Sequence, residues 1–269
     1  MLFDLQGKRK RFIQVVYVFL ALLLGGGLVL FGIGGDASGG LGDALGLGNG
    51  HGGGGNAEFN DQIDSAQATL EADPENVVAL AAVARYSYLN GQQQLEVDED
   101  TQTQVLTEEA TASFEASIAA WERYLDANQG KPDAEVATLV YRAYGNVALS
   151  STNPASIQRR LDGALTTAEI LADQLPGPQT YLDLAGAAYF AGDTKAGDAA
   201  SKQALAEVDD AGSAALETEL DNRKQQGNQL QRQLKQLRND PSALEDPFGT
   251  SDSSAQDADG ADGGGHSGG

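Results

Sequence analysis

None of the 269 residues is cysteine. Disulfides, thiolate nucleophiles and cysteine-held metals are therefore excluded, and the fold must be held by its core. Histidine is nearly absent. His51 and His266 are the only two, each set in glycine as HGGGG and GGGHSGG. A catalytic triad or a histidine-ligated zinc needs a rigid element to aim the ring, and neither histidine has one. Basic residues are scarce, 17 against 39 acidic, for a net charge of −22. That excludes a nucleic-acid binder, whose basic surface must displace counterions. It also disfavours lying flat on anionic lipid. Alternating β-branched runs, the signature of strands, are missing. The expectation is an all-α protein with no catalytic set, no metal and no cofactor, and so not an enzyme.

What is present begins with one long apolar run. Lys8, Arg9, Lys10 and Arg11 precede 24 uncharged residues, Phe12 to Gly35, whose apolar part reads VVYVFLALLLGGGLVLFGI. About 20 helical residues cross a bilayer core roughly 30 Å thick. The reading is a cytoplasmic basic stub, 1–11, and a transmembrane helix, 12–33, with the rest of the chain outside by the positive-inside rule. A cleaved signal peptide is the competing reading. Its apolar region would be shorter, and Asp36-Ala37-Ser38 is a poor cleavage site. Ala21 and Gly25 form one small-xxx-small pair.

Residues 34–57 read as a glycine-rich linker with a coil span of roughly 25–30 Å. Residues 239–269 carry seven acidic and no basic groups and read as a disordered acidic tail. Between them, breakers fall at Asp73-Pro74, Asn90-Gly91, Gly130-Lys131-Pro132, Asn153-Pro154, Pro176-Gly177-Pro178, Gly192-Asp193 and Ala211-Gly212. They bound segments with apolar residues at helical spacing, such as Leu80, Val83, Ala84 and Tyr88, or Ile157, Leu161, Ala164, Leu165 and Ala168.

The breakers pair. PENVVALAAVARYSYLNGQ and PQTYLDLAGAAYFAGDT each run from proline to glycine, with a large residue early (Leu80, Tyr181) and an aromatic late (Tyr88, Tyr189). The second is followed by Ala196, Ala200, Ala204 and Leu205. Trp121, Tyr124 and Leu125 precede Pro132, and Val136, Leu139, Val140, Ala143 and Tyr144 follow it. This resembles the tetratricopeptide repeat, W-x₂-L-G-x₂-Y…A-x₃-F…P at a 34-residue period. The resemblance covers residues 59–208 and is best at 178–208. Residues 92–107 and the turn Asn128–Lys131 depart from the pattern. It implies a TPR-like α-solenoid of helical hairpins over 58–212. It also implies a groove lined by the first helix of each repeat. Arg85, Tyr86, Arg142 and Asp183 are then the protein-binding candidates. An ordinary alanine-rich bundle is the alternative fold.

Ser213 to Arg238 reads as one long helix. Leu216, Leu220, Leu230, Leu234 and Leu237 lie on a 4,3 spacing that Arg223 and Gly227 interrupt. Such a stripe can seal the last repeat or form a coiled-coil seam. The interruptions favour the seal. Asp98-Glu99-Asp100 lacks the spaced ligands and glycine of a calcium loop and reads as solvated. Gly52–Gly55 lacks the strand and Lys-Ser/Thr of a phosphate loop. Arg159-Arg160 and Arg223-Lys224 read as solvated basic pairs.

The combined expectation is a scaffold or adaptor on a single-pass bacterial inner (cytoplasmic) membrane anchor, binding another protein in the cell envelope. A structural protein that oligomerises through the leucine stripe is the alternative. A carboxylate-based cell-wall enzyme would need two opposed carboxylates, which no segment supplies.

Overall fold

A computed structural model describes residues 55–98 and 103–239. The expected anchor (12–33), the linker up to residue 54, Glu99-Asp100 and the tail from residue 240 lie outside the described residues. Among those described, no helix is long and apolar enough to cross a membrane.

The described chain is helical apart from one short hairpin. Its elements are α1 (Gly55–Ala72), α2 (Val77–Gln93), β1 (Glu96–Val97), β2 (Gln104–Val105), α3 (Glu108–Ala127), α4 (Ala134–Val147), α5 (Pro154–Gln174), α6 (Pro178–Ala191), α7 (Thr194–Ala206) and α8 (Asp210–Asn239). Starts are set by polar caps. Asn76, Thr107, Asp133, Asn153 and Asp193 each accept a hydrogen bond from a first-turn N–H, which satisfies an otherwise orphaned donor. Pro154 and Pro178 occupy the first turns of α5 and α6, where a missing N–H costs nothing. α6 stops at Gly192, whose φ of 93° lies in the left-handed region. There the Asp193 N–H reaches the Ala188 carbonyl at 2.8 Å and the Gly192 N–H reaches Tyr189 at 3.2 Å. These are the two bonds of a Schellman closure.

Three sequence readings need correction. Asn90-Gly91 is not a helix end, because α2 continues to Gln93. Gly91 is there for packing: a Cβ at this position would lie 2.8 Å from the Phe114 ring of α3. Ala211-Gly212 is not a break either, since α8 already begins at Asp210. α1 likewise begins at Gly55, inside the stretch read as linker. The long connection after α2 holds a hairpin, in which Glu96 pairs with Val105 and Val97 with Gln104, antiparallel.

Each helix packs on its chain neighbours, and α2 also meets α4 while α6 meets α8. α8 also touches α5 and α7. The largest core lies among α2, α3 and α4, around Trp121, Phe114, Leu80, Val140 and Tyr144, none more than 1% exposed. The Trp121 Nε1–H donates to Thr167 Oγ1 of α5 at 3.1 Å. Two smaller clusters tie in α8. Leu230 and Leu234 close on Ala148, Ile157, Leu161 and Phe190. Leu220 closes on Leu182, Ala185, Tyr189 and Ala200.

Candidate functional site

The even-numbered helices are linked in chain order by polar residues. From α2, the Arg85 guanidinium donates to Glu135 of α4 at 3.0 Å, and both side chains keep solvent contact. One turn further along α2, the Tyr88 hydroxyl meets the Arg142 guanidinium of α4. Burial pushes the Tyr88 phenol up, and Arg142 offsets part of that. From α4, the Tyr141 hydroxyl donates to the Asp183 carbonyl of α6 at 3.1 Å. Burial pushes Tyr141 far above the ordinary phenol range, so it stays a donor at any physiological pH. From α6, Asp183 meets Arg223 of α8 at 3.4 Å. A continuous seam thus runs α2–α4–α6–α8.

Arg223 is the unexpected member. It is 1% exposed. Its Nε donates to Glu219 at 2.9 Å and its Nη1 to the Leu182 carbonyl at 3.2 Å. Burying a guanidinium is costly unless it is paired and hydrogen-bonded, and here both conditions are met. The room comes from Gly186, where a Cβ would sit 2.9 Å from Nη1. Asp183 feels opposing forces. Burial raises its pKa most, while Arg223, a hydrogen bond from Gln179 and Arg142 lower it, and the net direction is upward.

The four groove candidates therefore divide. Arg85, Arg142 and Asp183 fall on the seam. Tyr86 turns instead toward α1, its ring 6.2 Å from that of Phe59 at a tilt of 30°. Sequence reading took Tyr88 and Tyr141 as core or groove-lining helical residues, did not single out Glu135 or Glu219, and placed Arg223 on a solvated face. Arg223-Lys224 is in fact one buried arginine and one surface lysine, the latter bonded to Asp198 at 2.7 Å. Arg160 is also engaged, donating to the Val147 carbonyl and pairing with Glu115, whereas Arg159 is exposed.

The leucine stripe is continuous once its two interruptions are counted. Leu220, Arg223, Gly227, Leu230 and Leu234 are all buried, at the same 3,4 spacing. Gly227 marks the closest approach, since a Cβ there would lie 2.5 Å from the Tyr189 carbonyl oxygen. Leu216 and Leu237 are half-buried. At the opposite end, a cleft of about 200 Å³ opens between α1 and α2 beside the exposed Val78. Among the described residues, no group of His, Cys, Asp or Glu is placed to hold a metal ion.

Compared with known proteins, the chain matches no family model, no curated protein and no solved structure. The tetratricopeptide resemblance accordingly rests on the sequence pattern alone.

Proposed function

We propose that this chain is a membrane-anchored adaptor. The face that carries the polar seam of its even-numbered helices would bind another protein in the cell envelope, held close to the bilayer by the run 12–33 and the glycine linker. The observation that carries the reading is the seam itself. Arg85, Glu135 and Arg142 form a row of solvent-contacting charged groups on adjacent helices. Such a row gives orientation and register to a docked segment more than raw affinity. The helical hairpins are read as degenerate tetratricopeptide-like repeats. Only the last one, from Pro178 to the start of α8 at Asp210, is close to a 34-residue unit. A tether of this length raises the effective concentration of the binding face near the membrane.

A photoreactive amino acid at Arg142 tests the binding face, with Thr166, exposed on α5, as control. Crosslinks to one defined protein from Arg142 and not from Thr166 are expected in intact cells. Equal crosslinking from both positions would end this reading. The anchor is tested separately. The chain should stay with membranes through a carbonate wash and retain its N-terminal residues, and a soluble chain starting near Ala37 would defeat it.

Assembly through the leucine stripe is the less favoured reading. Leu220, Leu230 and Leu234 are buried within their own chain, which leaves only Leu216 and Leu237 partly open to a second copy.

A further inference from the structure

The chain's charge is very uneven, and the fold packs together two of its acid-free stretches. Residues 148–161, from the end of α4 into α5, contain no Asp or Glu. Residues 222–239 of α8 contain none either, and they carry five basic groups. The two stretches are packed together. Leu230 and Leu234 close on Ala148, Ile157 and Leu161, and the Gln231 side-chain amide donates to Gln158 Oε1 at 3.1 Å. Beside those two glutamines stand Arg232 and Arg159, with Lys235 and Arg238 further along α8. All four are exposed. None of the four joins an ion pair among the described residues. Arg238 complements the negative end of its own helix. That account fails for Arg159, which lies toward the positive end of α5. These two packed stretches of a protein of net charge −22 therefore carry four cations outside any ion pair among the described residues, with Asp162, which accepts from Gln158 at 2.8 Å, as the carboxylate at their border.

We propose that these two packed stretches form the docking surface for the chain's own acidic segment, residues 240–262. That segment has seven acidic and no basic residues, and it begins directly after the last residue of α8. Attachment keeps its local concentration high. A free polyanion, by contrast, must first approach a strongly negative molecule. The attraction acts at short range, within a Debye length of about 8–10 Å at ordinary salt. Exposed ion pairs are individually weak, so the docking is reversible and sensitive to ionic strength.

The absence of cysteine makes Ser254→Cys a unique attachment point for a nitroxide. The full chain is held in zwitterionic detergent micelles, and amide relaxation is read along α5 and α8. At about 0.01 M salt, broadening is expected at residues 155–160 and 232–239. It should vanish at about 1 M salt, where the Debye length is only about 3 Å. It should also vanish in the quadruple variant Arg159→Glu, Arg232→Glu, Lys235→Glu, Arg238→Glu, with α2–α4 amides unchanged. Broadening confined to the end of α8 and indifferent to salt would describe a freely tethered segment and overturn the proposal. Should the variant not fold, the salt series on the unmodified sequence still decides. Equal broadening when label and isotope sit on different molecules would reassign the surface to the tail of a second copy, which also overturns the proposal.

Discussion

The two ends of the folded chain are fastened by different chemistry. From α2 to α4 the interior is aromatic: Trp121 stacks on Tyr124 with centroids 5.1 Å apart, and Phe114 tilts against Tyr88 at 5.7 Å. From α6 to α8 most contacts are alanine, glycine and leucine set around Tyr189 and Phe190, with one arginine enclosed. Large rings bury much area and tolerate small displacements of the backbone. An alanine–glycine interface buries less and depends on close approach, so one added methyl group matters there. The first end should behave as the stable nucleus of the domain. The second should behave as a fitted lid whose fit is set by a few positions.

Trp121→Ala is the largest expected blow. Truncating a fully buried tryptophan costs about 3–5 kcal/mol, and here the bond to Thr167 is lost as well. Domain stabilities are typically about 5–15 kcal/mol, so the whole helical signal should melt at much lower temperature by circular dichroism. Leu234→Ala comes next. Its burial at 2% exposure implies about 2–5 kcal/mol for the truncation, but the loss should appear locally. Hydrogen exchange should open α8 first while α2–α4 stay protected. If both variants instead lower every amide's protection together, the two ends are one cooperative unit and the contrast fails.

Gly227→Ala probes the fit directly. The new methyl would meet the Tyr189 backbone carbonyl, which cannot swing aside, and overpacking of this kind costs about 1–3 kcal/mol. Gly212→Ala is the matched control in the same helix. Its nearest neighbour would be an ordinary contact at 3.5 Å, so a neutral or slightly stabilising change is expected. Equal melting temperatures for the two variants would remove close approach as the device that seats α8.

The helical class and several helix boundaries were legible because they depend on local chemistry: periodicity, and breakers such as Asn153-Pro154, Gly177-Pro178 and Gly192-Asp193. Gly91 and Gly227 were misread as a breaker and an interruption for a common reason. A glycine that ends a helix and a glycine that admits a neighbour look alike until the neighbour is known, and Phe114 and Tyr189 are distant in sequence. Arg223 was hidden likewise. Its partners Leu182 and Asp183 lie on another helix, and a basic residue in a polar helix reads by default as solvated. Three of the four groove candidates fell on the seam because polar side chains link α2, α4, α6 and α8 in chain order. Tyr86 did not, because α1 supplies Phe59 on its other side.

The smallest effects concern two carboxylates of the second end, and they differ in sign. Asp198 accepts from Lys224 and from the Tyr189 hydroxyl at 2.9 Å. Its pKa is lowered, first by the hydrogen bond from Lys224 and then by the one from Tyr189. A depressed carboxylate stabilises the fold above its unfolded pKa, near 3.8, and loses that contribution as pH falls through the lower native value. Asp183 is raised, mainly by burial. Its ionised form therefore costs stability at neutral pH, and the cost is relieved as pH falls through the native value. Asp198→Asn should lower the melting temperature at pH 7, by no more than about 1 kcal/mol in stability for so exposed a pair. Asp183→Asn should be neutral or slightly stabilising at pH 7, since the amide oxygen can still accept from Arg223. Both variants should converge on the parent chain in acid, from opposite sides. A loss at pH 7 for Asp183→Asn as large as that for Asp198→Asn would mean that the buried pair with Arg223 outweighs the burial of the carboxylate. The second end would then be held by charge as much as by fit.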